Sequence, residues 1–154
     1  MYRRLQSNFG KTKEATYTAS EAMVKGMLVV KDRATKKVAL PASAVGTGVF
    51  IVDVNPSYTG LMAVESNISD YDVRLNAIAE DDAVSLELLE VGEVYGTDQF
   101  VATGIAVGDA LQVGTDGKLA KKASGTSPLI ATDIAYNDAG TTLLVFEVTD
   151  TVWA

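Results

Sequence analysis

The sequence of 154 residues contains no cysteine and no histidine, and both absences exclude chemistry. Without cysteine the chain forms no disulfide and has no thiolate to act as a nucleophile or metal ligand. Without histidine it lacks the usual general base at neutral pH and the commonest metal ligand. Catalysis by serine–histidine or cysteine–histidine pairs is therefore excluded within this chain, and zinc sites are nearly so. Carboxylate acid–base chemistry and binding of magnesium or calcium stay open.

Long apolar runs are also missing. No run reaches the length of a membrane span, so we expect no membrane partner. The first residues, "MYRRLQSNFGKTKE", are positively charged, but no apolar stretch follows them as a signal peptide requires. We therefore expect synthesis in a cytoplasm.

Positive charge is scarce beyond the first quarter of the chain. The net charge is −7, but residues 1–40 carry +6 and residues 41–154 carry −13. Three interpretations follow: the basic segment binds an acidic partner surface, it binds a neighbouring copy of the acidic body, or its charges are simply solvated. The acidic body argues against nucleic-acid binding, which needs a basic surface.

Proline is rare, with 3 residues, whereas glycine is frequent, with 13. Short apolar runs such as "MLVV", "KVAL" and "GVFIVDV", separated by glycine turns, predict a mainly β fold, either a small barrel or a sandwich. "AVSLELLEV" alternates and predicts a half-buried strand, whereas "SDYDVRLNAIAEDD" fits a helix or a strand. Residues 1–20 are polar and without period, which predicts an extended N-terminal arm. Residues 21–154 then form a single β-rich domain.

Two stretches of the chain resemble each other. "MVKGMLVVKDRATKKVALPAS" begins at residue 23 and "AVGDALQVGTDGKLAKKAS" at residue 106, with Leu28 and Leu111 at equivalent positions. Each stretch has a strand, a polar turn and a returning strand, and each is followed by an apolar strand that ends in aspartate. We interpret them as related β units at about 23–54 and 106–148, with an insertion at about 57–98. Alternatively, two hairpins look alike because all hairpins use the same residue types.

The second stretch, continued by "PLIATDIAYNDAGTTLLVFEV", resembles the capsid decoration (cement) proteins of tailed bacteriophages. The shared pattern is a Gly-Asp pair, an apolar strand, an Asp-Gly-Lys-Leu turn and a valine-rich terminal strand. The resemblance implies a structural virion protein that binds the outer capsid surface and stabilises the phage head. It implies the major capsid protein and further copies of itself, as a homotrimer, as partners. It also implies localisation on the capsid exterior and no enzymatic activity.

Candidate partner-binding residues lie near the two ends of the chain. They are the basic and apolar residues of the arm and one terminal aromatic residue: Tyr2, Arg3, Arg4, Leu5, Phe9, Lys11, Lys13 and Trp153. Large aromatic and arginine side chains contribute most of the binding energy in many interfaces. The aromatic residues at the two ends fit the domain's own core equally well.

No pattern in the sequence predicts a catalytic, cofactor-binding or metal-binding residue. Asp70, Asp72 and residues 80–82 form the densest carboxylate cluster, but they lack the spacing of an EF-hand and fit a solvated loop better. Glu87 and Glu90 form a carboxylate pair of the kind that glycoside hydrolysis needs. Any acidic protein contains such pairs, so this one does not predict an active site. The alternative function is a β-barrel module that binds a glycan or a host surface.

Overall fold

The computed structural model describes residues 1–6, 14–53 and 76–152. These residues form β-strands and no α-helix, which confirms the predicted mainly β fold. The strands are β1 Tyr2–Gln6, β2 Glu14–Ala19, β3 Met23–Val24, β4 Leu28–Asp32, β5 Lys37–Ala39, β6 Val49–Asp53, β7 Ala77–Ile78, β8 Ala83–Glu87, β9 Val94–Thr97, β10 Leu111–Val113, β11 Leu119–Lys121, β12 Leu129–Asp138 and β13 Thr141–Val148.

The first half of the fold is a closed barrel of five strands in the order β2-β5-β4-β6-β8. The predicted first hairpin is confirmed, because β4 and β5 pair antiparallel. Its polar turn begins at Asp32, whose carboxylate accepts the Ala34 N–H at 2.9 Å and the Thr35 hydroxyl at 2.7 Å. β2 pairs parallel with β5 and antiparallel with β8, and this closes the ring.

The second half repeats this strand order. β9, β13 and β12 form consecutive antiparallel ladders, and β10 pairs antiparallel with β11, as the second predicted hairpin requires. Two isolated bridges join the pieces: Phe100, just after β9, pairs parallel with Leu119, and Ala110 pairs antiparallel with Ile130. The second half thus closes in the order β9-β11-β10-β12-β13, the connectivity of the first barrel with its one parallel pairing. The residues just after β9 make the parallel pairing with β11, because β1 occupies that edge of β9 itself.

A tight turn precedes the hairpin in each barrel, and the two turns form the same backbone hydrogen bonds. In the first barrel Met27 N–H donates to Val24 O at 3.1 Å, and Gly26 N–H donates to Val52 O at 2.9 Å. Val52 N–H returns a bond to Met27 O at 2.9 Å. The same three bonds recur in the second barrel, at 3.1, 2.7 and 2.9 Å: Asp109 N–H to Ala106 O, Gly108 N–H to Ala131 O, and Ala131 N–H to Asp109 O. The turn residues lie 82 positions later in the chain, and Ala131 takes the place of Val52. The hairpins are alike in this turn as well as in residue type.

Both turns need glycine at their third position. The φ angles of Gly26 and Gly108 are 93° and 89°, a region that side chains rarely adopt. A positive φ there, together with the bond from the fourth N–H to the first carbonyl, is the geometry of a type II turn.

The barrels have separate cores that meet along β4 and β6. On β6, Phe50 and Val52 face the core of the first barrel, while Val49 and Ile51 belong to the core of the second. β6 is therefore buried along its whole length. Residues 21–154 were predicted to form a single domain. The described part contains two cores, which lie on opposite faces of β4 and β6.

The predicted N-terminal arm differs from the structure in its described parts. β1 pairs antiparallel with β9 at the edge of the second barrel's sheet, and β2 is a wall of the first barrel. Tyr17 and Ala19 are buried in the first core, and the polar residues between and before them conceal this alternation. Residues 7–13 lie outside the described residues.

The predicted insertion at 57–98 also differs. Residues 54–75 lie outside the described residues, but β8 closes the first barrel and β9 opens the second. β8 is buried on both faces rather than one, with Ser85 and Glu87 each only 2% exposed.

Candidate partner-binding surface

The described part of the basic N-terminal segment lies against the acidic body of the same chain. β1 pairs with β9 in a register that places Arg3 opposite Gly96 and Arg4 opposite Tyr95. The guanidinium of Arg3 forms an ion pair with Asp138, near the tip of the β12–β13 hairpin. The guanidinium of Arg4 lies 3.5 Å from the Glu87 carboxylate, at the end of β8. β1 therefore joins both barrels through ion pairs.

Other lysines of the first 40 residues follow the same rule. Lys25 lies 3.0 Å from the buried carboxylate of Asp53, and Lys37 lies 2.7 Å from the exposed Asp81. Much of the charge asymmetry is thus neutralised within one chain. This intramolecular pairing was not among the three interpretations of the sequence, because the distance between these residues along the chain conceals it.

Leu5 is an exposed apolar side chain of β1, at 39%. Its Cδ1 would lie 3.8 Å from a Cβ built on Gly96, whereas the nearest atom of Leu143 would lie at 3.3 Å. A side chain at position 96 would therefore crowd Leu143, and Gly96 lets β1 and β13 pack across β9. Leu5 extends this apolar contact to the surface, where a partner can cover it.

A buried polar pair lies beneath β1. The Tyr95 ring stacks on Phe146 with centroids 5.7 Å apart, and its hydroxyl donates to the fully buried Glu93 carboxylate. Burial, followed by the hydrogen bond and charge of Glu93, raises the pKa of the Tyr95 phenol. The phenol therefore stays protonated and acts as a fixed donor. No sequence signal distinguished Glu93 from the other carboxylates of the chain.

Lys31 closes one end of the first barrel and was also missed. Its ammonium lies 3.8 Å from the centroid of the Phe50 ring and 5.2 Å from that of Tyr17. It forms an ion pair with Glu14, and this hydrogen bond is the main cause that lowers the pKa of the Glu14 carboxyl. Cation–π attraction of this kind holds the Lys31 ammonium over the aromatic side chains of the first core.

The predicted carboxylate cluster divides between the two parts of the chain. Asp70 and Asp72 lie outside the described residues, and residues 80–82 form an exposed turn. In that turn Asp82 accepts the Ala79 N–H at 3.2 Å. Within residues 1–6, 14–53 and 76–152, no group of three or more acidic residues is placed to hold a metal ion.

The candidate partner-binding residues divide in the same way. The backbone of Tyr2 lies in β1, and Arg3, Arg4 and Leu5 follow it. The remaining members lie outside the described residues: Phe9, Lys11, Lys13 and Trp153. Their role in binding a partner stays a prediction.

The remaining findings concern membrane spans and similarity to known proteins. In the described part of the chain, no helix is long and apolar enough to cross a membrane. Searches against protein-family models, curated proteins and solved structures find no match to this chain.

Proposed function

We propose that this chain is a structural virion protein of a tailed bacteriophage, which binds the outer surface of the capsid and stabilises the head. Its partners are then the major capsid protein and further copies of itself, as a trimer. The chain has no enzymatic role in this proposal. The protein is made in the host cytoplasm and resides on the capsid exterior.

The observation that carries the proposal is the twofold construction of the fold. The residues that carry the resemblance to decoration proteins, 106–124 and 128–148, form four strands of the second barrel. The same strand order and turn bonds recur in the first barrel. Two barrels joined along β4 and β6 make a stiff body, which suits a protein whose task is to hold a shell together.

The ion pairs of β1 support a mode of binding that does not depend on a free basic arm. Arg3 and Arg4 are engaged with Asp138 and Glu87 of the same chain. A capsid surface would then meet the apolar Leu5 and the exposed faces of the barrels. Any remaining arm contact belongs to Lys11 and Lys13.

The decisive experiment is co-sedimentation of purified protein with capsid shells that lack it. We expect stoichiometric, saturable occupancy and a solution mass of three chains. If the wild-type protein does not sediment with shells, the proposal is refuted. Saturable binding to sugars in place of shells would instead establish the alternative, a glycan-binding module.

Contact between residues 7–13 and the shell is better tested by substitution than by deletion of residues 1–20, because that deletion removes β1 and β2 from the fold. The double substitution Lys11→Glu with Lys13→Glu leaves β1 and β2 intact, and we expect it to lower shell occupancy. Lys118→Glu with Lys122→Glu makes the same charge change elsewhere, and occupancy should persist. Equal occupancy for both variants would show that this segment does not contact the shell.

A further inference from the structure

The two barrels differ in whether a short extra strand covers the turn that precedes the hairpin. In the first barrel β3 pairs antiparallel with β7, with Met23 opposite Ile78 and Val24 opposite Ala77. Lys25 N–H extends the pairing by donating to Asn76 O at 2.7 Å. β7 therefore covers the chain segment that leads into the first turn.

The equivalent segment of the second barrel is residues 105–107, 82 positions after β3 and Lys25. Ile105 and Met23 are both buried, with 9% and 2% of their surface exposed, and each side chain packs in the core of its own barrel. The turn bond from Asp109 N–H to Ala106 O matches that from Met27 to Val24. The backbone geometry that receives β7 in the first barrel is therefore present in the second.

No described residue pairs with this segment. The backbone groups of Ile105 and Val107, which correspond to those that Met23 and Lys25 offer to β7, form no hydrogen bond with any part of 1–6, 14–53 or 76–152. The reason is a loop length. β12 and β13 are joined by Ala139 and Gly140 alone, whereas residues 54–82 separate β6 from β8 and include β7. Among the described residues, the second barrel has no segment of its own that fills the position.

The residue types at this open position are the reverse of what solvent favours. Val107 is 63% exposed, whereas the residue at the equivalent position of the first barrel, Lys25, is polar and partly buried. Unpaired N–H and C=O groups along an extended backbone edge form a template with which another extended chain can pair.

We propose that residues 105–107 are a docking site for an extended segment of a partner protein. The segment pairs antiparallel with Ile105 and Val107, as β7 pairs with Met23 and Lys25. Backbone hydrogen bonds hold it, and side-chain fit selects it. By analogy with Ala77 and Ile78, it carries a small residue opposite Ala106 and a branched apolar residue opposite Ile105.

The occupant is another protein rather than a second copy of this chain. The chain's own strand of this kind, β7, is committed to the first barrel, where Ile78 is 2% exposed and part of the core. A copy could lend it only by opening its own barrel. The inference rests on the comparison of the two barrels and holds whether or not the partner is a capsid protein.

The chain supplies its own probe, a capped peptide "NAIAEDD" that copies residues 76–82. Titrated into the ¹⁵N-labelled full-length protein, it should shift the amide signals of Ile105 and Val107 saturably. The signals of Met23 and Lys25 should stay in place, because β7 already occupies that site. A peptide with Ile78→Asp is the matched control and should cause no shift.

A substitution in the protein provides the second test. Val107 is the second residue of a type II turn, a position that accepts proline, so Val107→Pro removes the N–H donor without opposing the turn. Peptide binding should weaken at least tenfold, whereas Val107→Ala, which keeps the donor, should bind within about threefold of wild type.

Several results would overturn the proposal. They are no saturable shift at millimolar peptide, equal binding by Val107→Pro, or slow hydrogen exchange of the Val107 amide in the free protein, which would mean that the site is already filled. Shifts of the same signals on raising protein concentration alone would identify a second copy as the occupant and refute the choice of partner. None of these results depends on shell binding, so they are distinct from failure of the proposed function.

Discussion

Gly26 and Gly108 occupy the same position in two equivalent turns, so alanine substitutions there separate backbone strain from steric conflict. A Cβ on Gly26 would lie 2.9 Å from Met1 O and 2.9 Å from Thr97 Oγ1. A Cβ on Gly108 would meet nothing within 4 Å. The two φ angles, 93° and 89°, are nearly equal, so strain is common to both sites.

The expected costs follow from these distances. A side chain at positive φ costs about 1–2 kcal/mol in the free energy of folding, and Gly108→Ala should lose that amount alone. Gly26→Ala should lose about 1–3 kcal/mol more, because the Met1 carbonyl and the buried Thr97 hydroxyl must both move away from the added Cβ. Thr97 also donates its hydroxyl to Gly26 O at 2.9 Å, a bond that the movement weakens.

Urea unfolding followed by circular dichroism, with linear extrapolation, measures both losses. Gly48→Ala is the control, because Gly48 has a φ of 71° and would also meet nothing within 4 Å. It should behave like Gly108→Ala. Equal losses at positions 26 and 108 would refute the reasoning, since the close contacts at Gly26 would then have no energetic consequence.

Three further predictions test the strand β4, which contributes to both cores, the buried Tyr95–Glu93 pair and the Lys31–Glu14 ion pair. Leu28→Ala should cost about 2–5 kcal/mol and speed hydrogen exchange in β10 and β12, because Leu28 lies on β4 but packs in the second core. Tyr95→Phe should cost about 1–3 kcal/mol in chemical unfolding, because the buried Glu93 carboxylate loses this donor. Glu14→Gln should lower the melting temperature at pH 7, and this difference from wild type should shrink as the pH falls below 4.5. Lys31 lowers the pKa of Glu14, so the ionised pair contributes fully above the ordinary value of 4.5 and is lost as pH falls through the lowered one.

Each of these has a contrary result. Faster exchange confined to the first barrel after Leu28→Ala would mean that the cores are independent. Unchanged stability of Tyr95→Phe would mean that the hydroxyl adds nothing to the stacking on Phe146. A difference between Glu14→Gln and wild type that does not shrink as the pH falls below 4.5 would assign the effect to packing rather than to charge.

Local signals predicted the hairpins correctly. Asp32 and Asp116 each begin a short polar stretch between apolar runs, and the structure places turns at both. The turn at residues 139–140 is equally local, because the Asn137 side chain accepts the Gly140 N–H at 3.0 Å. Such turns depend on neighbouring residues alone, so the sequence is sufficient to predict them.

β1 and β2 could not be predicted in the same way. Their partners β9 and β8 lie more than 60 residues away along the chain, and their own residues are largely polar. The sequence of β1 also gives no sign that Arg4 reaches Glu87. Pairing between distant segments depends on the shape of the assembled barrels, which no local pattern contains.

By itself, the sequence determined that this protein is mainly β, that thiol and histidine chemistry are excluded, and that one hairpin pattern occurs twice. Only the tertiary structure decided that each copy closes into its own ring and that β6 serves both cores. It also decided that the basic N-terminal strand is held by acidic residues of its own chain, and that, in the part of the chain that the structure describes, the first ring has a cover strand and the second has none. The physical reason is that alternation fixes which residues share a face of a strand, whereas packing decides what each face meets.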